Sequence, residues 1–289
     1  MSILFLYRNW VYIIWFLFYF LLFWLICGAN IFSFLIVGSI YGIAILFSLS
    51  SLSESLWRSI SGVRPLRTNR EKERLIPLFK EVYTQVCETD NYISKEMKLY
   101  IQENMNINAF AFGRTTLVLT RGSIETLNDD CLKGLMAHEF GHFAYADPTV
   151  LQIAMIGNVF MLFLSKLICS KTDESRFKES KSILGSCFKA LYDLFYGIYR
   201  FLRFIGDVMI TSVSREHEYW ADGFAFDCGY GPELIEVLYQ LYAMTFDSPG
   251  NIKEQLRSTH PPITKRIEEL ESYSRDDEPE TPEQDDDMM

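Results

Sequence analysis

Asn128-Asp-Asp-Cys-Leu-Lys-Gly-Leu-Met-Ala-His-Glu-Phe-Gly-His142 is the stretch on which the reading of the fold turns. Asn128 is a good N-cap, and Asp129 and Asp130 suit the positive end of the helix dipole. Leu132, Leu135, Met136, Phe140 and Phe143 follow at helical spacing. The expectation is an amphipathic helix reaching Pro148. His138 and His142 lie four residues apart, so one helix face carries both imidazoles. There they can share a tetrahedral Zn²⁺, with Glu139 beside the metal as general base. Three fixed positions recur by chance, and a buried helix can carry two structural histidines. The weight therefore falls on the rest of the chain.

Downstream, Ser214-Arg-Glu-His-Glu-Tyr-Trp-Ala-Asp222 continues a helical pattern. Glu218 and Asp222 share a face. The reading that fits makes Glu218 the third zinc ligand and Asp222 an acceptor that orients a ligand imidazole. His217 stands as the rival ligand, about a quarter turn away. A ligand set of three histidines from one extended signature fails, because Tyr145 and Pro148 occupy its glycine and histidine positions. Of the four histidines, 138, 142, 217 and 260, two are in the signature and two in the other segments with site-like chemistry.

Upstream, residues 71–90 have helical spacing. Met97–Ile101, Ile107–Phe112 and Thr116–Thr120 read as short strands. The last two form a hairpin through Gly113-Arg114-Thr115. That hairpin is either part of the core or an edge along which an extended peptide can pair.

Between Arg8 and Glu54 there is no charged residue. Residues 10–26 and 31 to about 52 are each long and apolar enough to cross a bilayer, joined by a short loop. A run this long that is followed at once by a second is a membrane hairpin rather than a cleaved leader. Gly38 and Gly42 form a G-x-x-x-G in the second run. Arg58, Arg64, Arg67, Arg70, Lys72 and Arg74 follow the hairpin, which puts the N-terminus and the following domain in the cytoplasm. Residues 149–165 are a candidate third span. A fourth apolar stretch carries Lys189, Asp193, Arg200, Arg203 and Asp207 in one narrow stripe. With a helix continuous past Thr211, that stripe projects on nearly the same side as Glu218 and can guide a polar chain toward the metal.

The net charge of −10 arises largely in the last fourteen residues, where eight acidic side chains form a disordered, solvating tail. No basic patch interleaved with aromatics points to nucleic acid. Six cysteines without C-x-x-C pairs argue for a reducing compartment rather than a disulfide framework.

Four blocks now carry a resemblance: Ile107-Asn-Ala-Phe-Ala-Phe-Gly113, the signature with Asp147 five residues on, the 214–222 segment, and Ser258-Thr-His-Pro-Pro-Ile-Thr-Lys-Arg-Ile267. Their order and the N-terminal hairpin are similar to M48-family membrane metalloendopeptidases, within them the HtpX-like branch. The resemblance implies one Zn²⁺ per chain, held by His138, His142 and Glu218. It also implies Glu139 as catalytic base, Asp222 and Asp147 supporting the ligands, and Asn108, Ala109, Phe110 and Ala111 as a substrate-binding strand. His260 is implied to lie near the site, either aiding the transition state or playing a supporting or capping role. Thr120-Arg-Gly122 and the charged fourth segment depart from the family pattern.

The expected fold is mostly α with a small β-sheet, an α+β gluzincin-type domain with two membrane-associated hairpins. Its divisions are residues 1–53 (membrane hairpin), 54–148 (first part of the catalytic domain), 149–213 (second hairpin), 214–274 (second part, with the third ligand) and 275–289 (tail). The expected partners are the lipid bilayer and polypeptide substrates, chiefly membrane proteins, with no nucleic acid; the oligomeric state is not legible. The resemblance implies a multi-pass protein of a bacterial inner (plasma) membrane. The leading functional reading is cytoplasmic-face endoproteolysis of misfolded or damaged membrane proteins. Its alternatives are processing of prenylated C-terminal peptides, or a non-catalytic adaptor with structural zinc.

Overall fold

The charge-free N-terminus folds as two helices, α1 (Ile3–Ile26) and α2 (Ile31–Ser48). They are turned back by Gly28 and Ala29, both at positive φ. Asn30 caps α2 through reciprocal hydrogen bonds with Ser33, which satisfies amides that a helix start leaves without intrahelical partners. Both helices are long and apolar enough to cross a membrane. The computed structural model describes residues 3–90, 93, 96–145, 147–171, 183–245 and 261–276.

Helix α3 (Ser51–Ile60) follows the hairpin directly and leads through β1 (Val63–Pro65) to α4 (Asn69–Thr89). Strands β2 (Lys98–Gln102), β3 (Ala109–Phe112) and β4 (Thr116–Thr120) complete a four-stranded mixed sheet in the order β1-β2-β4-β3. β4 pairs parallel to β2 and antiparallel to β3, with Ala109 opposite Leu119 and Phe112 opposite Thr116. β4 is buried throughout, and β3 is left on an edge. β3 begins at Ala109 rather than Ile107, because the Asn108 backbone is taken up by Thr120 and Ser123.

After the short α5 (Arg121–Thr126), α6 (Asp129–Ala144) runs through the centre of the domain. It stops before the expected Pro148, with the Tyr145 N–H closing on Gly141. It is also not amphipathic: from Cys131 to Gly141 it is buried except at Lys133, enclosed by α4, the sheet and two later helices. The core packs Leu75, Phe79 and Val82 of α4 against Leu132, Met136 and Phe140 of α6.

The expected third span is two helices, α7 (Asp147–Ala154) and α8 (Ile156–Lys171), interrupted at Met155. Then comes α9 (Ile183–Asp227), 45 residues with no break at Thr211, hence about 70 Å long at ~1.5 Å per residue. Its first half exposes Leu194, Phe201 and Phe204, and its last turns bury Ala221, Phe224 and Ala225 in the core. Of the charged stripe, Asp193 and Arg200 are exposed; the Lys189, Arg203 and Asp207 side chains lie outside what is described. Trp15 and Tyr19 of α1 pack with Ile156, Phe160 and Ile205, joining α8 and α9 to the N-terminal hairpin. Two glycines allow the rings in: a Cβ at Gly157 would lie 2.3 Å from Tyr19, and one at Gly206 would lie 2.6 Å from Trp15. The chain ends in α10 (Gly231–Thr245) and α11 (Ile263–Asp276). Residues 277–289 of the expected tail lie outside the described residues.

Candidate active site

The position of α6 is set from its start, where Asn128 accepts from the Cys131 N–H at 2.7 Å. Two glycines then set its distance from its neighbours. A Cβ on Gly134 would lie 2.6 Å from the Leu234 amide of α10, and one on Gly141 would lie 2.7 Å from Cα of Ala221 on α9. Gly141 stands between the two histidines, so the closest approach of α9 occurs at the signature itself. One turn before Ala221 on α9 is Glu218.

Three side chains converge as a result. His138 Nε2 lies 3.6 Å from Glu218 Oε2, and His142 Nε2 lies 3.7 Å from Glu218 Oε1. One ligand atom from each of His138, His142 and Glu218 lies within 4.8 Å of the others. Glu139 is buried beside His138. Asp222, one turn past Glu218, meets His138 Nδ1 at 2.9 Å, which leaves Nε2 facing Glu218. Arg266 of α11 donates Nε and Nη2 to the two Asp222 oxygens at 2.7 and 2.6 Å, and its Nη1 lies 3.0 Å from Glu218 Oε2. This is the bidentate geometry in which a guanidinium holds a carboxylate most firmly.

The electrostatics fit a divalent cation. Burial works against the charge on His138, yet hydrogen bonds to Asp222 and Glu218 outweigh it and push its pKa up to about 10. Burial likewise opposes ionisation of Asp222, and the Arg266 charge reverses that, holding the carboxyl below its ordinary range. Three carboxylates (Glu139, Glu218, Asp222) against one guanidinium leave a formal surplus of two negative charges in a buried cluster. A dication on the three converging donors would offset that surplus.

The remaining expected residues fall as follows. His217 is outside the converging group: its buried ring stacks on Trp220 at 4.9 Å and meets Tyr12 of α1 edge-on at 5.8 Å. Asp147 opens α7. His260 lies outside the described residues. Asn108–Phe112 runs beside α6 at the sheet edge. Because the Thr120 N–H bonds the Asn108 carbonyl, antiparallel alternation turns the backbone groups of Ala109 and Ala111 to the open side. Arg266 escaped the sequence reading as a site residue, although it occupies a position of the apolar stripe Ile263, Ile267, Leu270.

The model of peptidase family M48 matches residues 78–274. The chain belongs to this family. Similar relatives include a Protease HtpX homolog of Bacillus pumilus (strain SAFR-032), 27% identical over 247 residues that cover 78% of this chain and 80% of that one. Another, from Bacillus subtilis (strain 168), is 24% identical over 247 residues, with the same coverage of 78% and 80%. Among solved structures, S. mikatae Ste24p shares the fold, with a TM-score of 0.51 at 16% identity. That match covers 88% of this chain, which spans 61% of the length of Ste24p. Family membership with two membrane-length apolar helices makes the chain an M48 membrane protease, and the family implies a metal.

Proposed function

We propose that the chain is a membrane-bound zinc endopeptidase that cleaves misfolded or damaged membrane proteins at the cytoplasmic face. The observation that carries this reading is the convergence of His138, His142 and Glu218 beside Glu139, with the open edge of β3 alongside. His138, His142 and Glu218 would hold one Zn²⁺. When bound, that ion supplies Lewis acidity, activating water and polarising the scissile carbonyl.

The chain's own residues do the rest. Asp222 fixes the His138 tautomer by engaging Nδ1, and Arg266 fixes both Asp222 and Glu218. Glu139 takes the proton from the attacking water and returns it to the leaving amine. The outward amides and carbonyls at Ala109 and Ala111 pair with an extended substrate through its main chain, which favours unfolded segments over particular sequences. Asn108 contributes through its side chain, since its backbone is already bonded. His260, shortly before α11 in the sequence, is proposed to act near the site, and Asp147 to support it from the start of α7.

The membrane setting is supported by the α1–α2 hairpin and by α8 and the middle of α9 at Ile205, which pack on it. The basic residues after α2 support a cytoplasmic catalytic domain. The test uses the purified chain in proteoliposomes with a membrane protein whose cytoplasmic domain is either folded or destabilised. The destabilised form is expected to be cut on the cytoplasmic side. Cutting confined to a prenylated C-terminal peptide, or to the opposite side, overturns the reading.

A further inference from the structure

Glu54 is a buried carboxylate with no part in the chemistry above. It lies on α3, which begins three residues after the last residue of α2, yet it is only 6% exposed. Leu52, Leu56 and Ile60 occupy the opposite side of α3 and are exposed, as suits a helix lying at the bilayer surface. The Glu54 carboxylate reaches across to the turn between β3 and β4. It accepts from the Arg114 backbone N–H, from Thr115 Oγ1 at 2.6 Å and from Thr116 Oγ1 at 3.2 Å, and Arg58 Nη1 lies 3.5 Å away. The Arg114 N–H and the Arg58 guanidinium can only donate, and with both hydroxyls donating as well the carboxylate answers all four partners. Gly113 makes the approach possible: its φ is +62°, and a Cβ on it would lie 2.5 Å from the Glu54 carboxyl. From the other side, Thr149 Oγ1 of α7 donates to the Gly113 carbonyl at 3.4 Å. The base of the same hairpin is fixed where Thr120 and Ser123 engage the Asn108 backbone.

We propose that Glu54 is a positioning residue for substrate. It ties the tip of the β3–β4 hairpin to the helix that leaves the membrane, so the edge of β3 stays aligned with the metal-binding residues and at a fixed height above the bilayer. The proposal rests on the reading of β3 as the substrate strand. A strand clamped at both ends presents its edge already ordered, so substrate binding does not bear the cost of ordering it. Glutamine at this position fills the same space but loses the charge and sets an amide nitrogen against the donor-only Arg58 guanidinium.

The experiment measures KM and kcat of the full chain in lipid on an unfolded casein labelled with a fluorophore and quencher, for the wild type, Glu54→Gln and Thr115→Val. Glu54→Gln is expected to raise KM about tenfold and leave kcat within about twofold, the pattern of lost binding rather than lost chemistry. Thr115→Val, which removes a single donor, shifts KM the same way by less, and the double variant is no worse than Glu54→Gln alone. A merely structural role lowers the active fraction, so kcat falls with KM unchanged; that result in both variants overturns the proposal. Should Glu54→Gln not fold, an unchanged KM in Thr115→Val overturns it alone. Glu139→Gln separates the two levels: its inactivity upholds the site whatever Glu54 does, whereas wild-type activity in it removes the site reading and this proposal together.

Discussion

Arg266 is the residue through which the site's negative charge is organised. It holds Asp222 with two hydrogen bonds and Glu218 with a third contact, so its loss frees the proposed ligand Glu218 and the carboxylate that engages His138 at once. Arg266→Lys keeps the charge but cannot span both Asp222 oxygens. Zinc affinity, measured by chelator competition, is therefore expected to fall about 10- to 100-fold, as for other outer partners of metal ligands; unchanged affinity contradicts the assignment. That Glu218 and Asp222 share a helix face was legible from their spacing. Arg266 was not, because its partners lie on a different helix and nothing local announces them. A signal did exist: a charged residue within the stripe Ile263, Ile267, Leu270 has to find a partner inside the protein.

At the scale of elements, the contact between α6 and α9 sets the distance between the histidines and Glu218. Gly141→Ala puts a methyl where Ala221 now lies, so the helices must separate. The expected cost is about 1–3 kcal/mol of stability, with zinc affinity falling in parallel; denaturant melts and chelator competition check both. Glu71 and Glu103 brace the neighbouring elements, joining Arg64 of β1 and Arg121 of α5 to the start of α4. Hydrogen bonds from Arg64 hold the Glu71 carboxyl well below the usual carboxylate range, and Arg121 and Arg64 bring Glu103 down to about 2. Both folded-state pKa values are depressed, so their stabilisation is present above about pH 4.5 and is lost as pH falls toward about 2. Arg121→Met is expected to flatten that acid limb in pH-dependent melts; an identical limb contradicts the role. Arg121, a departure from the family pattern when read as sequence, thus has a structural use. The strands and the hairpin turn were readable from alternation and Gly113. The all-round burial of α6 was not, because apolar spacing on one face says nothing of what later helices add on the others.

For the whole molecule, α9 is the element that joins membrane to chemistry. Ile205 and Gly206 at its midpoint pack with Trp15 of α1, the charged positions 189–207 run up to that point, and Glu218 and Asp222 lie near its end. His217, next to the proposed ligand Glu218, meets Tyr12 of α1, so the first apolar helix also reaches the residues behind the candidate site. Gly206→Leu should wedge Trp15 away from α9 and lower the melting temperature in detergent by several degrees, with a cost of about 1–3 kcal/mol; an unshifted melt contradicts the packing. Charge depletion in the sequence made the first hairpin plain. The charges of the fourth apolar segment obscured its packing on that hairpin, which depends on glycines that accept aromatic rings.

In the proposed mechanism Glu139 acts as base at a zinc site formed by His138, His142 and Glu218. The most direct test compares the wild type with Glu139→Gln in lipid, measuring bound zinc and cleavage of an unfolded polypeptide on the same samples. One zinc per chain is expected in both, with cleavage slowed by about 10²–10⁴-fold in the variant. Equal cleavage by a zinc-loaded Glu139→Gln contradicts it.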